Sequence, residues 1–276
     1  MRVPTNDSEI VSWLTPSELE AIPTSQSWND EVRETAKAYD VRDGNFERIR
    51  KYLRDDSTRL QEFSEVCRLA EKSGFSIEGV GVDAAAGACW AAALLSRFPK
   101  VRKIYALDAS KLRLTSLAPH AIRAMDGDPS KITRVLGSFY ELRVADASVD
   151  FVLLAAAYHH ADDADRLLRE LTRALKAGGG ILMIGEEPIS AADVWLKRLK
   201  NLVKMALPSS MYKSPPVRKL MPTFADLYPP DPIDGDHYYR FQDYTKTFAR
   251  HGFSLSWSRR PGFIVFFAMK GPERPA

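Results

Sequence analysis

Long apolar runs are missing from this chain. The longest uninterrupted one, Phe151 to Tyr158, falls far short of the roughly 18 residues that a spanning helix needs, so no transmembrane helix is expected. Cysteine is scarce: Cys67 and Cys89 are the only two among 276 residues. Both sit in apolar, helix-like contexts, too few for a disulfide framework or a zinc ligand set. The stretch Met1 to Asp7 has no apolar h-region, so no secretory signal is expected and the expected compartment is the cytoplasm. A dominant charge of one sign is lacking too. Lys+Arg 39 against Asp+Glu 36 leaves a formal +3, too mild to imply nucleic acid, and no nucleic acid partner is expected. With 45% hydrophobic and 27% charged residues, the chain also lacks the composition of a disordered protein.

What is there is an alternation. Residues 1–74 read as an N-terminal helical arm or lid, polar and broken by Pro4, Pro16, Pro23 and Gly44 at first. Thr15-Pro16-Ser17-Glu18 is a capping box with proline at the first helical position. From Asn45 to Ser73 apolar residues recur at helical spacing until Gly74 supplies a stop. From residue 75 onward short apolar strands alternate with helices: Ile77–Val82, Ile104–Leu107, Thr133–Leu136, Val149–Ala157 and Ile181–Ile184 as strands, with helices over Ala84–Phe98, Lys111–Met125 and Asp165–Leu175. A helix at Phe241–His251 and two strands, Phe253–Trp257 and Phe263–Met269, close the chain as antiparallel neighbours. Strands without polar alternation belong to a parallel sheet covered on both faces. The expected fold is therefore α/β: a doubly wound, mostly parallel, seven-stranded sheet with helices on both faces. Its main domain covers residues 75–276, with a cap at 189–240 inserted after the fifth strand.

The first of these strands runs into Asp83-Ala84-Ala85-Ala86-Gly87-Ala88-Cys89, and the second ends in Leu107-Asp108. A strand entering a tight turn of small residues at a helix start lets a ligand lie against bare backbone N–H groups. An acid about 20 residues on is placed to hold a ribose diol. The pairing points to an adenosine-type ligand.

From Val80 to Glu187 the sequence resembles the class I S-adenosylmethionine-dependent methyltransferases of the small-molecule type. Asp83 to Cys89 resembles their acidic, glycine-rich loop and Asp108 their ribose-binding acid. Gly137 to Leu142 resembles the segment beside the adenine, Ala145 to Val152 the approach to the fourth strand, and Tyr158 to Asp163 the turn after it. The resemblance implies S-adenosylmethionine as cofactor. Its methionine part would be faced by the loop at Asp83, Ala85 and Gly87, its ribose by Asp108 with Ala109, and its adenine by Ser138 and Phe139. Ala155 and Tyr158 would lie beside it, with His159 and His160 between cofactor and substrate. Where the family usually has three glycines, this chain has Ala85, Gly87 and Cys89. Ala85 is expected to be strained if its φ is positive, whereas Cys89 is expected to fit because the third glycine serves helix packing.

Methyl transfer from a sulfonium needs a base only if the acceptor keeps its proton at neutral pH. The candidates are His159, His160 and His237, with Glu186 and Glu187 after the fifth strand. Adjacent strand residues face opposite ways, so one of His159 and His160 is expected in packing. No metal site is expected, because nothing at ligand spacing accompanies the pair. Between residues 195 and 220 seven Lys and Arg occur with no acid, and Trp195, Leu196, Leu199, Leu202 and Val203 interleave at helical spacing. This basic amphipathic helix, expected over Asp193–Tyr212, reads as a docked helix with a solvated face, as a lid over an anionic small-molecule substrate, or as a helix on an acidic membrane surface. The function expected is methyl transfer to an O or N atom of a small, anionic metabolite. The other classes in view are a non-catalytic relative that keeps the fold, and an NAD(P)-dependent oxidoreductase.

Overall fold

The structure is a computed structural model that describes residues 10–22, 46–55, 57–208, 211, 215–219, 221–231 and 235–272. Much of the expected arm, residues 1–9 and 23–45, lies outside the described residues, as do Tyr212 and Lys213. The strands are β1 (Ile10–Ser12), β2 (Gly79–Ala84), β3 (Val101–Asp108), β4 (Ile132–Leu136), β5 (Val149–Ala155), β6 (Leu175–Ile184), β7 (Phe253–Arg260) and β8 (Phe263–Lys270). They form one sheet in the order β1-β4-β3-β2-β5-β6-β8-β7. Every pairing from β1 to β6 is parallel, and β8 pairs antiparallel with both β6 and β7. The expected seven strands are present, and β1 is an eighth. At three residues with a half-exposed pattern, β1 is too short to show a period in sequence.

The chain lays β2, β3 and β4 outward in one direction, then returns to place β5 on the other side of β2. This reversal opens a crevice at the carboxyl ends of β2 and β5, where ligands of such sheets bind. Side chains alternate between two cores. Phe151, Leu153, Leu182, Ile184, Val265 and Phe267 face one, and Val152, Leu154, Ile181, Met183, Ile264 and Phe266 face the other. Both faces are thus buried, which is why the strands read as continuous apolar runs.

The helices are α1 (Pro16–Glu20), α2 (Glu47–Arg54), α3 (Arg59–Lys72), α4 (Trp90–Ser96), α5 (Ala118–Ala124), α6 (Ala164–Ala174), α7 (Ala191–Ala206), α8 (Phe224–Leu227) and α9 (Phe241–Arg250). The capping box forms as expected: Thr15 N–H donates to Glu18 Oε2 at 2.7 Å and Glu18 N–H to Thr15 Oγ1 at 3.3 Å. The helix expected at Lys111 begins instead as a wide π turn over Arg113–Leu117. Pro119 has no N–H to continue the ladder, so α5 restarts around it. The excursion between β6 and α9 carries α7 and α8, and its two ends are tied by a bridge between Ile189 and Arg240.

Candidate active site

Beyond β2 the backbone turns through three left-handed residues: Ala85 and Cys89, each at φ 60°, and Gly87 at φ 53°. The strain expected at Ala85 is therefore present. Cys89 corrects the sequence reading, because the third loop position also requires the left-handed region, and Cys89 meets it as the residue that starts α4. A Cβ added at Gly87 would meet only Arg113 Nη1, at 3.7 Å. The loop therefore presents bare backbone to open space.

Asp108 ends β3 with its carboxylate almost fully buried. Gly87 N–H donates to its Oδ2 and Ser110 N–H to its Oδ1, each at 2.7 Å. Burial pushes this carboxyl up from the usual carboxylate range, while Arg113 and the backbone donors pull it back. With Ala109 N–H as a third backbone donor, the two oxygens still have acceptor capacity for a ligand hydroxyl. Asp83 is turned away from the loop's open side: it is fully buried, and its Oδ2 accepts from Ala92 N–H at 3.0 Å inside α4. Burial pushes the Asp83 carboxyl up to about 7. It acts as a strap between β2 and α4.

Tyr158 to His160 form a single 3-10 turn after β5 rather than a strand end. The turn changes which residue is buried. Tyr158 is 0% exposed among Tyr239, Tyr244 and Phe248, so it does not line the crevice. His159 and His160 both do, with ring centroids 4.3 Å apart. His159 Nδ1 lies 3.2 Å from Glu186 Oε1. Glu186, 2% exposed, also accepts from the N–H groups of Ala157 and Tyr158 at 3.2 and 3.1 Å and from the Tyr244 hydroxyl at 2.9 Å. His160 Nδ1 pairs with Asp236 Oδ1 at 2.9 Å. Asp236 comes from the cap, 76 residues beyond His160, so sequence spacing held no sign of the pair. His159, His160 and Asp236 thus draw together, with one candidate ligand atom of each within 4.8 Å of the others, a grouping that the sequence reading did not expect. His237 is anchored by its N–H to the His159 carbonyl at 2.6 Å.

These groups line one cavity of about 840 Å³, within the usual range of ligand pockets. It brings together Ala85, Gly87, Asp108, Ala109, Ser138, Phe139, Ala155, His159, His160 and His237. Among the sequence candidates Asp83, Tyr158, Glu186 and Glu187 are not in its wall, nor are Lys197, Arg198, Lys200 or Lys204 of α7. The cap contributes only Gly235 and His237 among its described residues. The N-terminal arm contributes more than expected, through Leu14, Glu18, Ala21, Ile22 and Tyr52.

Arg59 is a wall residue that sequence reasoning missed. It starts α3, where buried Glu62 accepts from Arg59 Nη1 at 3.4 Å, from the Thr58 hydroxyl at 2.5 Å and from Gly185 N–H. Gly185, at φ 74°, leaves room for the guanidinium, which a Cβ there would overlap. Opposite, Arg166 lies 4.7 Å from the Tyr140 ring centroid, and the Tyr140 hydroxyl donates to Asp162.

The methyltransferase domain family matches residues 82–183, from β2 to β6. No curated protein matches the sequence. The YcgJ protein of Bacillus subtilis aligns with a TM-score of 0.53 at 15% identity, over 77% of this chain and 99% of its own. An S-adenosylmethionine-dependent methyltransferase from Aquifex aeolicus aligns with a TM-score of 0.50 at 16% identity, over 82% of this chain and 98% of its own. At such identities the likeness is one of fold. Residues 82–183, which hold the loop, Asp108 and the strand ends that build the cavity, are thus similar to the methyltransferase domain family, and the chain shares the fold of S-adenosylmethionine-dependent methyltransferases.

Proposed function

We propose that the chain methylates an oxygen or nitrogen atom of a small acceptor held between His159, His237 and Arg59, with His159 as the base. The observation that carries this reading is His159, set in the wall of the cavity that also holds the loop and Asp108 and backed from behind by buried Glu186. The residues present fit the cofactor: the cavity is large enough, its loop is open backbone at Gly87, and a buried carboxylate stands at the end of β3. In this reading Asp108 accepts from the ribose hydroxyls, and Ala109, Ser138 and Phe139 border the adenine. Ala85, Gly87 and Ala155 border the methionine part. Bound S-adenosylmethionine supplies an electrophilic methyl group.

An alcohol, phenol or ammonium must lose its proton to become a nucleophile at neutral pH. His159 Nδ1 is turned to Glu186, which leaves Nε2 to take that proton, and the Glu186 carboxylate stabilises the imidazolium that results. Orientation in the closed cavity supplies much of the remaining acceleration. Among the described residues Arg59, Arg113 and Arg166 are the arginines in the wall; Arg113 stands beside Asp108, which leaves Arg59 and Arg166 to meet a carboxylate or phosphate on the acceptor. Lys197, Arg198 and Lys200 are not in that wall, so the anionic substrate reading no longer rests on the basic helix.

The test is a panel of acceptors assayed with the wild type and His159→Gln after calorimetry has established binding of S-adenosylmethionine. The variant should lose turnover of alcohols, phenols and amines while keeping turnover of any carboxylate acceptor, which needs no base. Undiminished turnover of a phenol or amine by His159→Gln would overturn the assignment.

A further inference from the structure

α7 docks by the wrong edge for a helix of a globular core. Of the twelve exposed large apolar residues among those described, nine fall between Trp195 and Met221. Trp195, Leu199, Leu202 and Ala206 follow one another at helical spacing along one face, with Leu196 and Val203 beside them. Trp195 is 65% exposed and the four other large ones are between 42% and 51%. What holds the helix is its polar edge. Asn201, the buried residue of α7, exchanges hydrogen bonds with the backbone of Val217 at 2.8 and 3.0 Å, and Lys197 sits 3.7 Å above the Tyr228 ring. An amphipathic helix normally buries its apolar stripe against the core.

The charges beside that stripe are of one sign. Lys197, Arg198, Lys200 and Lys204 stand against Asp193 alone within α7, and Asp193 is spent capping the helix at Ser190. The helix has 16 residues, about 24 Å at 1.5 Å per residue, and no helix among the described residues is long and apolar enough to cross a membrane. An exposed apolar stripe with a tryptophan, flanked by cations on long flexible stems, suits the boundary between lipid headgroups and acyl chains.

We propose that α7 docks the protein on an anionic lipid surface, its Trp195–Leu199–Leu202 face entering the headgroup boundary and Arg198 and Lys200 on either side of that face meeting lipid phosphates. A protein partner would have to supply both an apolar groove and a matching acidic rim; an anionic bilayer supplies both as a continuous surface. The docked face is joined to the cavity wall through Lys197 on Tyr228 and Tyr228 against Tyr238, whose ring centroids are 5.6 Å apart, one residue from His237. The proposal is independent of which acceptor the cavity takes.

The experiment is co-sedimentation of the full chain with vesicles of phosphatidylcholine alone and of phosphatidylcholine mixed with phosphatidylglycerol, at low and high salt. The chain should partition to the anionic vesicles, weaken as salt rises, and lose affinity by about fivefold for each cation removed in Arg198→Ala and Lys200→Ala. Leu199→Ser with Leu202→Ser should abolish the partition, whereas Trp257→Ser, an exposed aromatic elsewhere, should leave it intact. Because these side chains are exposed, the variants should keep the wild-type heat of S-adenosylmethionine binding, which separates loss of docking from loss of fold. Equal partition to neutral and anionic vesicles, or none to either, overturns the proposal. So does a concentration-dependent dimer that Leu199→Ser dissolves, which would make a second copy the occupant of this face.

Discussion

His159 Nδ1 stands 3.2 Å from one carboxylate oxygen of Glu186 and 3.3 Å from the other, on the floor of the cavity. Burial alone would push this imidazole down, but the Glu186 charge, its hydrogen bond and the charge of Asp236 outweigh burial and the opposing Arg59, so its pKa is raised above 6.5. A base must be neutral to accept a proton, so kcat/KM should rise with pH through a limb placed above that value. Glu186→Gln removes the charge that raises it, and the limb should move to lower pH while kcat falls. His159→Ala should remove the limb and lower kcat by roughly 10²- to 10⁴-fold. A pH–rate profile of the three proteins checks both, and an unmoved limb in Glu186→Gln would separate the pair from catalysis.

Asp108 is occupied on both oxygens by backbone donors, yet a carboxylate with three such bonds can accept once more. If it also holds ribose hydroxyls, Asp108→Ala should weaken S-adenosylmethionine by roughly ten- to a hundredfold, the usual range for hydrogen bonds to a charged group. Asp108→Asn, which keeps acceptor oxygen but not charge, should fall between. Calorimetry with S-adenosylhomocysteine reads the same difference without turnover, and unchanged affinity in Asp108→Ala would remove it from the ribose site.

Much of this arrangement is legible along the chain. Phe151 to Leu154 are apolar at every position because both faces of β5 are covered, and that pattern is visible without coordinates. Asp108 is found by its distance from the loop. The His159–Glu186 pair is harder: 27 residues separate them, and they meet only because β5 and β6 are neighbours, with Ala155 opposite Ile184. The turn at Tyr158 reversed an expectation because sequence alternation assumes a strand, whereas this 3-10 turn buries its first residue and turns the next two toward the cavity. Arg59 left no local signal at all, since its place depends on Gly185 making room from a distant strand.

Ala85 holds φ 60° where a glycine would be unstrained. Relief of about 1–2 kcal/mol of left-handed strain, set against about 0.5–1 kcal/mol of extra chain entropy for glycine, makes Ala85→Gly neutral to modestly stabilising. Ala121→Gly, inside α5 and fully buried, should instead cost about 1 kcal/mol or more. Thermal unfolding of the two variants should therefore move the midpoint in different directions, or leave it level in the first and lower it in the second by roughly 2–4 °C. A fall at Ala85 equal to that at Ala121 would mean the loop backbone is not strained as its dihedrals indicate.

Glu65 ties the arm to the far edge of the sheet. On α3 it accepts from Arg68, from the Ser258 hydroxyl and from Arg260 Nη2, the last at 3.3 Å. The Arg68 hydrogen bond is the largest influence on its carboxyl, burial opposes it, and Ser258 and Arg260 add to it, bringing the pKa from 4.5 to about 2. Because the folded value is depressed, the contribution is complete above pH 4.5 and is lost as pH falls toward 2. Glu65→Gln should therefore unfold at a lower temperature than wild type at pH 7, and the gap should narrow steadily between pH 4.5 and pH 2. Salt should shrink it little, since the carboxylate is only 10% exposed and buried pairs are weakly screened. A gap that stays constant across that acid range would assign the loss to packing between α3 and β7 rather than to the carboxylate's charge.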